Sequence, residues 1–469
     1  MALQPENRKK LKRGAYHFTG VNYYHLDALD GYYRPWDLNT MGVEIHPDGW
    51  GQIEPQEGVY NWDVLDAVLK LYNEHGKQAA IRIQSASFQP DDTPRWLFNS
   101  YGVRRICHDT YFTSFENGTD GYQLGEHTVI SESPDHAPYT HNRRYAYGSG
   151  MVLSTGIRRF SERYPQTIGF DYRAVSKGVL TVKVRWRKMI TDVARWELNM
   201  GDSGSKNIDI PVDIIGGAAE VIWEFDGVAV SLANPGVSED RPGLYSMGNV
   251  CYPNYFDPIY KEKYANFVRA FYDRYQDNAT LAAVCVGGYG RWDEVTLEDF
   301  HNQWSAYGYT REKYIEHIKW CANLFRDSFA GSEKQIFMHA YSEWIPGSLK
   351  DADYISYKLM NFAVENGFDI KTNSLQAKLT EWDTLGGLGW TYMLNRIKHR
   401  SDICIFHEEA AQCSNSEKQF NNMGHPLSML NRAIIDGVDY YWLYSPDLYT
   451  PYPAKYLHYA NEQAGAGLF

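Results

Sequence analysis

Apolar positions follow two rhythms along this chain. Short apolar runs at residues 42–46, 78–83, 281–286, 335–340, 368–372, 403–406 and 438–443 read as strands, and one near residues 15–19 completes a set of eight. Helical spacing lies between them. Val64, Leu65, Val68, Leu69 and Tyr72 recur on one face, behind Asn61 as a cap and ahead of Gly76 as a terminator. Asp257 is a good N-cap and Pro258 fits a first helical position, and Tyr260, Tyr264, Phe267, Val268, Phe271 and Tyr275 then line one face. Alternating strand and helix predicts a parallel sheet, and eight units predict an α/β fold of the (β/α)8 TIM-barrel type.

Between about residues 101 and 243 the period switches to two. Leu180, Val182, Val184 and Trp186 alternate with Thr181, Lys183, Arg185 and Arg187; Ile208, Ile210, Val212 and Ile214 alternate with Asp209, Pro211 and Asp213; Val221, Trp223 and Phe225 continue the theme. This predicts an inserted antiparallel β-sandwich-like module between barrel strands three and four, with one wet face. The expected organisation is residues 1–100 as the first part of the barrel, 101–243 as the module and 244–469 as the remainder. A structural lid and a carbohydrate-binding sandwich are both open roles for the module.

Composition narrows the classes. A net charge of −12 argues against nucleic acid and anionic membranes as partners. No apolar run approaches the roughly 20 residues of a membrane span. The polar start shows no signal peptide, which fits either a cytoplasmic protein or one whose export signal has been removed. Aromatic residues make up 15%, with 14 Trp and 37 Tyr, which suits stacking on sugar rings and equally suits filling a large core. The six cysteines form no CxxC pair and no zinc pattern, Cys285 and Cys404 read as buried thiols, and neither a metal nor a cofactor is expected.

Barrels carry their chemistry at the C-terminal ends of strands. After the run at 281–286 comes GGYGRWDE, ending in Glu294; after 403–406 comes His407, then Glu408 and Glu409. Carboxyls at the fourth and seventh strand ends would face each other, as glycosidic cleavage requires of its acid and its nucleophile or base. His46 and Asp48 after the second strand, His339, Tyr341 and Glu343 after the fifth, and Asn373 after the sixth are candidate sugar contacts. Arg82, inside the third strand, would need a carboxylate partner.

The run WGQIEPQEGVYNW at residues 50–62, with Asp66 after it, resembles the second-strand signature of clan A glycoside hydrolases, the family 42 β-galactosidases among them. TPRWL at 93–97 is similar to the segment after their third strand, PNYFDP at 253–258 and the run to Glu294 to the approach to their acid/base, and VDYYWLY at 438–444 to their eighth strand. The resemblance covers roughly residues 14–100 and 245–455. It implies Glu294 as acid/base, Glu408 or Glu409 as nucleophile, and Trp442 beneath the reacting sugar. Trp50, Trp96, Asp293 and Tyr444 are further implied binding residues. Clan A enzymes carry Asn before the acid/base; here Asp293 stands there, and a charged Asp293 would raise the pKa of Glu294. The implied activity is retaining hydrolysis of β-linked sugars, with β-galactosides or galactans, algal ones included, in front. The competing classes are a non-catalytic carbohydrate-binding barrel and, disfavoured by the absence of metal spacing, a metal-dependent lyase or isomerase. A seventh strand starting at Ile403 would favour Glu408 over Glu409.

Overall fold

The computed structural model describes residues 14–19, 42–45, 49–86, 92–107, 110–116, 118–138, 143–239, 250–298, 303–340, 345–346, 349–375, 397, 400, 402–409, 429, 432–433 and 436–444. At 14–19, 42–45, 110, 136, 349–350, 373–375, 409 and 442–444 only the backbone course is described. The chain divides into two compact units, residues 1–85, 264–298 and 314–469 in the first and 86–263 and 299–313 in the second.

In the first unit, eight strands pair in parallel and close on themselves: Gly14–Thr19, Gly42–Ile45, Gln78–Ile81, Leu281–Cys285, Gln335–His339, Asp369–Leu375, Ile405–Glu409 and Tyr440–Tyr444. Their interior is filled by Ala80, Ala283, Cys285, Phe337, Phe406 and Tyr440, with the Phe337 and Phe406 rings stacked at 4.5 Å. Small residues on the third and fourth strands leave room for the aromatic rings of the fifth, seventh and eighth. Helices Asp63–Glu74, Arg311–Ser328 and Leu349–Asn366 lie between barrel strands. Their apolar faces, such as Leu65, Val68, Leu69 and Tyr72, are buried. Helix Pro258–Tyr275 starts as its sequence suggests: Ile259 N donates to Asp257 Oδ1 at 2.8 Å. Asn61 differs from expectation. The N-cap is Trp62, and Asn61 Oδ1 accepts from Asp63 N one position further out.

The second unit is antiparallel. One sheet runs in the order Met189–Leu198, Gly178–Trp186, Gly217–Asp226, Val152–Ser154, Gln123–Leu124; the other runs Ser203–Ile210, Gln166–Ala174, Ala229–Glu239, Tyr145–Ser149, Val129–Ser131. Leu180, Val182, Val184, Val221, Trp223 and Phe225 from the first sheet and Ile168, Phe170, Val230 and Leu232 from the second share one core. The alternate positions carry cross-strand ion pairs, Lys183 with Glu224 at 2.9 Å and Arg185 with Glu220 at 2.5 Å, so that face stays wet. The alternation stops at Pro211: Val212 and Ile214 belong to a short helical turn, Val212–Ile215, because proline cannot donate to the ladder. Strands Arg105–Cys107 and Cys251–Pro253 pair separately, and Cys107 faces Cys251 across that ladder in a disulfide.

The expectation of an eightfold (β/α)8 TIM barrel is corrected. No eightfold repeat of strand and helix runs through the described residues. The strands outside the closed parallel sheet outnumber those in it, so the architecture is predominantly β. The physical reason is that the period-two segment forms sheets rich in strands, whereas a short apolar run fixes a strand without fixing the crossover that follows it.

Candidate functional site

Side chains on a strand alternate faces, so a residue two positions beyond an interior one continues the interior column. Ala80 lies inside the barrel, and Arg82 follows it; Phe337 is followed by His339; Phe406 is followed by Glu408. Lys371 lies on the strand between those of His339 and Glu408. Arg82, His339, Lys371 and Glu408 are each at most 2% exposed.

This layer is held by charge. Arg82 Nη1 contacts Glu294 Oε1 at 3.2 Å, and its Nη2 contacts Glu408 Oε2 at 3.5 Å. Lys371 Nζ makes an ion pair with the same Oε2 of Glu408. Taking an ion out of water costs several kcal/mol, so each of these charges depends on its partners. Among the described residues no hydrogen bond reaches Glu408 Oε1.

Glu294 is carried by a tight turn after the fourth strand. Gly288 has φ +92°, and a Cβ there would lie 2.3 Å from the Tyr264 ring; at Gly290, φ +59°, it would lie 1.8 Å from the Glu294 carbonyl oxygen. Trp292 and Asp293 also take positive φ, at 59° and 56°, a costly conformation for residues with side chains. The turn is held from several sides. His317 Nε2 donates to Gly288 O at 2.9 Å, Tyr314 OH donates to Val295 O at 3.2 Å, Arg291 N donates to Thr296 O at 2.8 Å, and Arg291 pairs with Glu298. Asp293 is fully buried and its Oδ1 accepts from Gly288 N at 3.0 Å, Ser85 Oγ at 3.1 Å and Ser85 N at 3.4 Å; its Oδ2 has no hydrogen-bond partner.

Burial pushes the Glu294 carboxyl up to about 7; Arg82 opposes the rise, Glu408 adds to it, and Lys371 and Arg291 oppose it. Burial likewise pushes Asp293 up to about 7 against its N–H and hydroxyl donors and Arg82. The sequence assigned the push on Glu294 to a charged Asp293; the structure assigns it to burial and Glu408. Burial, with Arg432 adding to it, drives His407 down to about 3, so its imidazole is neutral.

The structure thus brings Glu294 and Glu408 together around Arg82, with Asp293 beside them. The seventh strand is Ile405–Glu409, two residues later than expected, and contains both glutamates. The side chain of Glu409 lies outside the described residues, as do those of Asn373, Trp442 and Tyr444 and the whole of His46, Asp48, Tyr341 and Glu343. His339 is buried, and its carbonyl accepts from Tyr289 OH at 3.2 Å. Trp50 is fully enclosed: its indole donates to Glu54 Oε2 at 2.7 Å and packs edge-on against Tyr264. Trp96, in the second unit, packs against Tyr101. Lys371 and Ser85 escaped sequence reasoning. For Lys371 a signal existed, a lone lysine next to Ile370 in a strand whose neighbours are buried; for Ser85 there was none.

A family model described as β-galactosidase, glycoside hydrolase family 42, matches residues 36–105. That segment is similar to those enzymes; the rest of the chain lies outside the match. No curated protein matches. Among solved structures the chain is similar to the K1 cleaved adhesin domain of Lys-gingipain from Porphyromonas gingivalis W83, at 12% identity over 28% of this chain and 97% of that one, TM-score 0.24. It is similar to a family 6 carbohydrate-binding module, at 12% identity over 28% and 92%, TM-score 0.21. It is similar too to a family 35 carbohydrate-binding module from Paenibacillus barcinonensis, at 16% identity over 28% and 97%, TM-score 0.21.

Proposed function

We propose that the parallel barrel hydrolyses β-linked sugars, β-galactosides or galactans foremost, with Glu294 as acid/base and Glu408 as nucleophile. One observation carries the reading. Glu294 and Glu408 share one guanidinium in the barrel layer, Glu408 pairs with Lys371 as well, and burial pushes Glu294 up to about 7. A raised acid beside an ion-paired second carboxyl suits a two-carboxylate displacement. Glu294 gives its proton to the glycosidic oxygen while Glu408 attacks the anomeric carbon. The alcohol leaves with the electron pair of the broken bond. Water then gives its proton to Glu294 and displaces Glu408.

The experiment uses 4-nitrophenyl β-D-galactoside and galactan oligosaccharides. Glu294→Gln is expected to abolish turnover of the oligosaccharides and spare their binding. Glu408→Gly is expected to be inactive and to yield an α-galactosyl azide when azide is added. The first-formed wild-type product is expected to be the β-anomer by proton NMR. An inverted product would overturn the mechanism, and azide rescue only in Glu409→Gly would overturn the choice of nucleophile.

A second reading is a carbohydrate-binding barrel without turnover. Arg82 favours it, because a guanidinium in contact with both carboxylates stabilises them as charges as well as it prepares them for reaction. Calorimetric binding of galactan oligosaccharides with no release of reducing ends from any β-glycoside selects this reading.

A further inference from the structure

We propose that Lys371 is a positioning residue for the carboxylate pair: with Arg82 it fixes Glu408 through Oε2 alone and reserves Oε1 as the oxygen that bonds to the sugar. The inference rests on the hydrolase reading above and adds a residue to it.

Three observations lead there. Lys371 is fully buried in the strand Asp369–Leu375, where its neighbour Ile370 faces the opposite way. Its ammonium pairs with Glu408 Oε2, the oxygen that Arg82 Nη2 also contacts at 3.5 Å. No hydrogen bond among the described residues reaches Oε1. A buried ion pair is weak evidence for a stabilising role, because apolar residues of similar volume often serve stability as well. Orientation is what the pair adds. A carboxylate held by one oxygen from two directions cannot rotate to present the other, and attack on an anomeric carbon needs one oxygen at a fixed distance and angle. When Oε1 forms the glycosyl ester, Glu408 loses its charge while both cations remain. When water cleaves the ester, the returning carboxylate meets them again on Oε2.

Lys371 also acts on Glu294. Glu294 is surrounded by Arg82, Glu408, Lys371 and Arg291, with Asp293 preceding it, and the Lys371 cation holds its ionisation down. Removing the cation therefore moves Glu294 upward, a change that misplacement alone would not produce.

The test compares wild type, Lys371→Met, Lys371→Gln and Lys371→Arg on 4-nitrophenyl β-D-galactoside across pH. It also follows the Glu294 carboxyl carbon by 13C NMR, assigned through Glu294→Gln. Loss of fixed orientation is expected to cost Lys371→Met about 100-fold in kcat with KM little changed. Its basic limb and the Glu294 carbon should both titrate at higher pH, and Lys371→Arg should recover most of the rate and the wild-type limb. An unchanged kcat and limb in a folded Met or Gln variant overturns the proposal and leaves the hydrolase reading standing. A wild type inactive on every glycoside overturns that reading instead. In that case an unmoved Glu294 carbon in the folded variants overturns the role of Lys371 as well.

Discussion

At the scale of single residues, the site is decided by how few waters reach it. Asp293 and Glu294 sit where burial outweighs their donors and cations, and both carboxyls stay protonated up to about 7. A folded-state value raised above the unfolded one contributes stability that is complete below the unfolded value and lost as pH climbs through the folded value. In the unfolded chain these groups ionise near ~4. Their contribution therefore declines between about pH 4 and about pH 7. Asp293→Asn removes one of the two titrations while its amide oxygen can still accept from Ser85 and Gly288. Urea midpoints measured from pH 4 to 8 should fall less steeply in Asp293→Asn than in wild type; parallel slopes would refute the assignment. On the hydrolysis proposed above, kcat/KM is expected to fall above about pH 7, where Glu294 would lose the proton assigned to it.

At the scale of elements, the motif most suggestive of a known family is a brace. In the run at 50–62, Glu54 accepts from Trp50 Nε1 at 2.7 Å and, through Oε1, from Gly58 N at 2.8 Å. Asn61 N returns to Ile53 O at 2.7 Å. Tyr60 stacks on Trp62, and Trp62 packs against Phe267 and Tyr275, whose hydroxyl donates to Asp66 at 2.8 Å. The spacing of Trp, Glu, Gly, Tyr and Asp is thus what a loop needs to fold back onto itself and onto one helix. Glu54→Ala removes the acceptor of two N–H groups and is expected to cost ~1–3 kcal/mol of stability. Denaturant unfolding would measure this; on the proposed hydrolysis, kcat on an aryl galactoside is expected to change little. A loss of kcat without loss of stability would move Glu54 into the site.

At the scale of the whole molecule, the second unit is closed by a covalent link. Cys107 and Cys251 join across 144 residues of sequence. In the chain-entropy account, a loop of that length is worth on the order of 5 kcal/mol, and measured disulfides commonly give less. Replacing both by serine should speed amide exchange through the strands Gly178–Trp186 and Gly217–Asp226 by orders of magnitude. Unchanged exchange there would show that the core around Trp223 holds without the link. Such links persist in oxidising compartments, so a cysteine pattern that carried no message in sequence becomes informative once strands pair.

The sequence by itself determined what local periodicity controls. The strand at Leu281–Cys285, the helix at Asp63–Glu74 and the antiparallel ladder at Gly178–Trp186 lie where apolar spacing predicts, because each needs only its own residues to define a face. Glycines and an acid after the fourth strand marked the turn that carries Glu294. What periodicity cannot decide is which charges meet. Arg82 is 212 residues from Glu294 and 326 from Glu408, and Lys371 is 37 from Glu408. Closure of the parallel strands and their register bring these residues into one layer, and burial there raises the Glu294 carboxyl. The same limit hid the partner of Cys107 and the overall balance toward β structure. A pairing between distant segments is chosen by the whole set of contacts that must close together, and no local stretch of sequence carries that choice.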